Sequence, residues 1–176
     1  YLANGDFAQR VRLGWSEKDL LRVLEGVANA LGYAHLRGYV HRDVAPGNIL
    51  FDASDTPILT DFGIARAFSQ TARITSAGIS VGTSHYMSPE QARGSDVDAR
   101  SDLYGLGVLT WFGLTGKPPY EGADGFAVSY AHVFEPIPRL PPGKEHWQTL
   151  IDKALAKDPA ERYQSAEEFI AALAEI

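Results

Sequence analysis

Several features are scarce or absent in this sequence of 176 residues, and each absence excludes a class of protein. It contains no cysteine, which excludes a disulfide framework and a cysteine-based zinc site. It has no run of lysine and arginine, and its formal net charge of −6 argues against a surface that binds nucleic acid. Its most apolar uncharged stretch, 103–116, is too short to span a bilayer, so we expect no membrane contact from this segment.

The start of the sequence also lacks a signal peptide, because it has neither a basic beginning nor an apolar run. Together with the absent cysteine, this favours a cytoplasmic location. The chain begins without methionine and in the middle of a pattern, so we expect a fragment of a longer protein. A content of 45% hydrophobic and 22% charged residues is typical of one globular domain with its own core.

The most informative stretch is 39–50, which carries a carboxylate, Asp43, and a carboxamide, Asn48. β-prone pairs flank it at 39–40 and 49–50, which predicts a loop between two short strands. A second carboxylate, Asp61, follows the next apolar pair. One acid can position a hydroxyl group and accept its proton, while the other acid and the amide hold Mg²⁺ against phosphates.

These motifs resemble those of the protein kinase family. His41-Arg42-Asp43, with Asn48 five residues later, resembles the kinase catalytic loop, and 61–63 (Asp-Phe-Gly) resembles the metal-binding triplet. The long loop that follows resembles an activation segment. The string Ser-Pro-Glu-Gln-Ala-Arg-Gly at 88–94 resembles bacterial, Hanks-type serine/threonine kinases. The resemblance implies a transferase that uses ATP and Mg²⁺ as cofactors and a protein as substrate.

The resemblance also implies roles for individual residues. Asp43 is the base, Asn48 and Asp61 hold Mg²⁺, and Leu50 and Thr60 lie beneath and beside the adenine ring. Thr83 occupies the position typical of serine/threonine specificity, so the implied catalytic set is Asp43, Arg42, Asn48, Asp61 and Thr83. The implied structural residues are His41, Phe62, Asp102, which bonds amides of the catalytic loop, and Glu90, which pairs with Arg162. Arg42 would bind a phosphate on the activation segment, for which the candidates are Thr75, Ser76 and Ser80.

The expected fold is mainly α-helical with a small β-hairpin at 49–51 and 57–60. Ser16 and Asp19 have the form of a capping box at the start of a long helix that Gly38 can end. An apolar helix is expected from 101 to about 115, and further helices at 123–134, 146–156 and 165–174.

The resemblance covers residues 1–176, but only the C-terminal lobe of a kinase domain, with the catalytic loop at 39–50 and the activation segment at 61–90. The sequence has no counterpart of the Gly-rich phosphate loop or of the lysine and glutamate of the N-terminal lobe. We therefore expect the chain alone to be inactive, with the missing lobe as its partner. Apolar surface left uncovered at Leu50, at Phe62 and on one face of the helix at 16–38 predicts self-association.

Ala45 departs from the pattern of the family. Serine/threonine kinases carry lysine there, and tyrosine kinases carry an arginine two residues later, where this chain has Gly47. Three interpretations stay open for the enzyme: it is slow, another cation fills the site, or Ala45 was engineered. Two other functions also stay open, a pseudokinase that acts as a binding scaffold and a small-molecule phosphotransferase of the aminoglycoside type.

Overall fold

The first two helices begin at side-chain caps that the sequence displays. The structure is a computed structural model that describes residues 4–62 and 84–176. Helix α1 (Phe7–Leu13) follows Asp6, and α2 (Glu17–His35) follows the predicted capping box of Ser16 and Asp19, which is confirmed. The apolar face of α2, from Leu20 to Ala34, is buried in the core. The predicted long helix is therefore present, and it ends three residues before Gly38.

A two-stranded antiparallel sheet follows the loop that carries Asp43. Strand β1 (Ile49–Phe51) pairs with β2 (Pro57–Leu59) through a polar turn, so the predicted hairpin is confirmed. The second predicted strand, at 39–40, is wrong. Among the described residues, none pairs with this segment as a strand, and the amide of Tyr39 instead donates to the carbonyl of Ala34 to close the end of α2. An apolar pair without a neighbouring strand has no ladder to join.

The centre of the domain is a helix that is apolar on all sides. After the short helix α3 (Pro89–Arg93), helix α4 (Ala99–Thr115) begins at Asp98, and all its residues from 101 to 111 are buried. This confirms the predicted central helix. A Cβ atom at Gly107 would lie 2.6 Å from that of Ala154, so this glycine allows a very close approach of α4 to the following layer.

Three further helices follow α4 in the chain: α5 (Gly125–Phe134), α6 (Gln148–Ala154) and α7 (Ala166–Leu173). Helix α6 packs on α4, α7 packs on α2, and α5 packs on α3. All three were predicted, with boundaries that differ by two residues or fewer at most ends. The described part is mostly helical with one small sheet, as the sequence predicts, and it contains no helix long and apolar enough to cross a membrane.

Candidate active site

A buried carboxylate at the start of α4 fixes the backbone of the loop that carries Asp43. Asp102 is 1% exposed and accepts hydrogen bonds from the amides of His41 (2.8 Å) and Arg42 (2.7 Å). The resemblance to kinases implies that Asp102 bonds amides of the catalytic loop, and both of these amides belong to that loop. The Nε2 atom of His35, in the last turn of α2, donates to the same carboxylate at 2.7 Å. The loop is thus tied to both long helices of the core.

His41 ties the same loop to the segment that carries Asp61. Its ring is fully buried, and its Nε2 donates to the carbonyl of Thr60 at 2.9 Å. Its Nδ1 accepts from the amide of Asp43 at 3.2 Å, so a neutral imidazole satisfies both contacts. The ring also packs against Phe62, with 4.6 Å between the centroids. His41 therefore connects two of the proposed functional segments through one side chain.

Asn48 orients the carboxylate of Asp43. Its Nδ2 donates to the Asp43 carbonyl at 2.8 Å and to Asp43 Oδ2 at 3.0 Å. Among the described residues, no hydrogen bond reaches Asp43 Oδ1 or Asn48 Oδ1. Asp43 is half-buried, so it retains access to solvent. Asn48 thus holds one of the two Asp43 carboxylate oxygens through its amide nitrogen.

Two of the predicted site residues have left-handed backbones. Arg42 has φ 68° and Asp61 has φ 57°, a region in which residues other than glycine are uncommon. Strained conformations of this kind persist only when the surrounding contacts hold them, and they concentrate at functional sites. Asp61 is exposed, and the half-buried Arg42 side chain forms no ion pair with the described residues.

The oxygen atoms of Asn48 and Asp61 fit the hard ligands that Mg²⁺ prefers. Thr60 donates both its amide (2.8 Å) and its hydroxyl (3.2 Å) to the Asn48 carbonyl, which holds the Asp61 segment beside Asn48. Within residues 4–62 and 84–176, no cluster of three or more histidines and acids forms a metal cage. A metal held here would therefore take most of its ligands from phosphate and water, as Mg²⁺ commonly does.

The predicted adenine contacts lie on the same hairpin. Ile49 and Phe51 are buried, while Leu50 between them is half-buried and faces the opposite side of β1. Leu50 and Phe62 are both half-buried, and the ring of His41 packs against Phe62. Large exposed apolar side chains include Tyr33 and Leu36, within the segment 16–38, and Phe126 and Phe134 of α5.

Glu90 and Arg162 form a buried pair. Arg162 Nη1 and Nη2 donate to the two Glu90 oxygens at 2.7 and 2.8 Å, and Ser101 Oγ donates to the same carboxylate. The remaining Arg162 donors reach the carbonyls of residues 100, 156 and 157. Burial alone would raise the pKa of Glu90, but these hydrogen bonds outweigh it, and the pKa is lowered. The pair is therefore ionised and fully hydrogen-bonded.

Two residues of this site were not identified from the sequence. His35 occupies a polar position in the last turn of α2, and Gln91 donates from Nε2 to the Arg42 carbonyl at 2.8 Å. The spacing of Ser88 and Gln91 is a capping-box signal, but it does not reveal the contact with Arg42. Of the predicted residues, Thr75, Ser76, Ser80 and Thr83 lie outside the described part of the chain.

Comparison with known proteins identifies the family of this fold and site. The model of the protein kinase domain family matches residues 1–172, so the chain belongs to that family. This confirms the resemblance recognised in the sequence.

The relatives of the chain are bacterial serine/threonine kinases. The chain is 44% identical over 159 residues to the probable serine/threonine-protein kinase PknB of Bifidobacterium longum. The aligned region covers 88% of this chain and 23% of that protein. It is 41% identical over 166 residues to serine/threonine-protein kinase PknB of Mycobacterium tuberculosis, covering 90% of this chain and 26% of the relative. For PknA of the same species, the identity is 42% over 162 residues, covering 92% and 37%. The chain thus spans about a quarter of the length of the PknB relatives it matches.

Proposed function

We propose that the intact protein is a serine/threonine protein kinase that transfers the γ-phosphoryl group of ATP to hydroxyl groups of a protein substrate. The observation that carries this proposal is the orientation of the Asp43 carboxylate. Asn48 holds its Oδ2 atom, while its Oδ1 atom accepts no hydrogen bond from the described residues. The serine/threonine kinases to which the chain is similar support the same reaction.

In this reaction Asp43 orients the acceptor hydroxyl and accepts its proton. Three contacts prepare it for this role: Asn48 holds one carboxylate oxygen, His41 holds its amide, and Asp102 fixes the loop from behind. A positioned general base contributes roughly 10²–10⁴-fold to the rate. Thr83 would lie on the substrate side of the base, as its sequence position indicates.

Asn48 and Asp61 would hold Mg²⁺ through their carboxamide and carboxylate oxygens. When bound, the metal neutralises negative charge on the phosphate oxygens. Leu50, on the outer face of β1, and Thr60, beside the Asn48 carbonyl, would contact the adenine ring. These contacts cover ATP from one side only.

We further propose that residues 1–176 correspond to the C-terminal lobe of the kinase domain, with the catalytic loop at 39–50 and the activation segment at 61–90. The 176 residues contain no Gly-rich phosphate loop. We therefore expect the isolated chain to transfer no phosphate and to bind Mg-ATP weakly, which calorimetric titration can measure. Micromolar binding would contradict this assignment. Self-association and a cytoplasmic location remain predictions from the sequence.

A second candidate function is a pseudokinase that binds partners without transferring phosphate. Ala45 favours it, because a preorganised cation at that position would otherwise stabilise the transferring phosphate. The retention of Asp43, Asn48 and Asp61 favours the enzyme, since a scaffold needs neither the base nor the metal ligands.

Phosphate transfer by the full-length protein tests the two functions. We expect wild-type protein to phosphorylate itself or a generic protein substrate on serine or threonine. The Asp43→Asn variant should lose ~10²–10⁴-fold in kcat while it keeps its fold and its affinity for ATP. The Asp152→Asn variant, which changes a half-buried acid of α6 away from the site, is the matched control. If wild type and Asp43→Asn are equally inactive, the scaffold is the correct function.

A further inference from the structure

The carboxamide of Gln91 bonds in two directions, and only one of them serves its own helix. Its Oε1 accepts from the amide of Ser88 at 2.9 Å, which completes the capping box of α3. Its Nε2 donates to the carbonyl of Arg42 at 2.8 Å, across 49 residues of sequence. The side chain therefore joins the end of the segment before α3 to the loop that carries Asp43.

The Arg42 carbonyl belongs to the peptide unit that leads into Asp43. The amide of Arg42 is held by Asp102 and the amide of Asp43 by His41. Among the described residues, Gln91 is the side chain that holds the carbonyl between these two amides. Arg42 has φ 68°, so this peptide adopts an orientation that it keeps only while its contacts hold it.

We propose that Gln91 is a positioning residue for catalysis, which sets Asp43 against the substrate-binding segment that precedes α3. This inference rests on the proposed kinase function, in which the acceptor hydroxyl lies between Asp43 and that segment. A displacement of about 1 Å between reacting groups can cost roughly 10²-fold in rate. Loss of the Gln91–Arg42 bond should therefore act on kcat rather than on the binding of ATP.

The Gln91→Glu variant of the full-length protein separates this role from helix capping. Glutamate is itself a good capping-box residue, so α3 keeps its start, while the donor to the Arg42 carbonyl is lost. We expect kcat to fall by ~10-fold or more, with the KM for ATP within ~2-fold of wild type. The melting temperature should stay near that of wild type.

The pH dependence of this variant supplies a second readout. Once protonated, the introduced carboxyl group regains a hydrogen-bond donor. The ratio of wild-type kcat to variant kcat should therefore narrow as the pH falls from ~8 toward ~4.3, the ordinary pKa of a glutamate. The Gln91→Met variant, which has a similar length and no donor at any pH, should show the same loss of kcat with a ratio that does not change with pH.

Ser165→Ala is the matched control, because it removes a side-chain cap of the same kind from α7 and leaves the bond between Gln91 and Arg42. It should lower the melting temperature and leave kcat within ~2-fold of wild type. If Gln91→Glu and Gln91→Met lower kcat no more than Ser165→Ala, or if both fail to fold, Gln91 is only structural and the proposal is overturned. A wild-type protein that transfers no phosphate would instead overturn the proposed function, and this inference with it.

Discussion

Glu90 and Gln91 are consecutive residues of α3, and they belong to two polar networks with opposite properties. Glu90 binds Arg162, whose guanidinium is fully buried with every donor engaged. Gln91 binds the backbone of Arg42, whose side chain forms no ion pair among the described residues. The first network is closed and serves the fold. The second holds only the backbone of Arg42, whose side chain we propose to bind a phosphate.

The largest expected effect tests whether the closed network is structural. The Arg162→Met variant leaves the Glu90 carboxylate buried without its partner, which should lower the free energy of unfolding by ~3–5 kcal/mol. Arg139→Met is the control, because Arg139 forms an exposed pair with Asp152 (3.2 Å), and it should cost less than ~0.5 kcal/mol. Urea denaturation of both variants measures the difference. Equal losses would show that the Glu90–Arg162 pair carries no special stability.

The next effect tests whether Arg42, in the second of these networks, binds a phosphate group. We expect mass spectrometry of the active full-length protein to find phosphate on Thr75, Ser76 or Ser80. Because charge-assisted hydrogen bonds contribute ~1.5–3 kcal/mol, Arg42→Gln should reduce the activation by phosphorylation ~10–100-fold. Arg37→Gln is the control, since Arg37 stacks on Tyr33 at an exposed position. Three unmodified hydroxyls, or full activation of the Arg42→Gln protein, would contradict the hypothesis.

A third prediction concerns the response to acid of His132, which bonds Tyr104 beside the buried Arg162 guanidinium. The buried imidazole of His132 accepts from Tyr104 Oη (2.8 Å) and donates to the carbonyl of His85 (3.0 Å). Burial, together with the nearby Lys157 ammonium, lowers the pKa of His132 to about 3. Below the unfolded pKa of ~6.5, the unfolded chain therefore binds a proton that the folded chain does not. The free energy of unfolding consequently decreases as the pH is lowered.

Between pH 7 and pH 5 this difference should remove ~2 kcal/mol of unfolding free energy. The pKa of Glu17 is lowered to about 2, mainly by its hydrogen bond from Lys144, so its contribution is lost only below about pH 4.5. Urea denaturation at pH 7, 6 and 5 should show that the free energy of unfolding decreases steeply with falling pH for wild type. The control His146→Gln, which changes an exposed histidine, should show the same decrease. The His132→Phe variant should be less stable than wild type at pH 7, and its free energy of unfolding should change less between pH 7 and pH 5. Parallel profiles for all three proteins would refute the assignment to His132.

The smallest expected effect concerns Ala45, in the loop that carries Asp43. If the intact protein is an enzyme weakened here, Ala45→Lys should raise the single-turnover rate by ~10-fold or more, because a restored donor acts mainly on the transition state. Gly47→Arg is a parallel variant, since a Cβ atom at Gly47 meets nothing within 4 Å. An unchanged or lower rate in both variants would rule out the weakened-enzyme account, and inactivity of every form would favour the scaffold.

Local patterns were sufficient to predict most of the helices. The capping box of Ser16 and Asp19 and the apolar stretch of α4 are short-range features, and each is found where it was predicted. The short helix α3 was not predicted, because the pattern at 88–94 was recognised only as a motif. The strand expected at 39–40 was wrong because a strand depends on a partner that its own residues do not specify.

The sequence by itself determined the family and the identity of the charged groups, since motif spacing fixes which residue types follow one another along the chain. Only the tertiary structure decided how these groups are connected. Gln91 meets Arg42, and His35 meets Asp102, across 49 and 67 residues of sequence. No periodicity encodes such contacts, because they form only when the packing of α2, α3 and α4 brings distant donors and acceptors within hydrogen-bond distance.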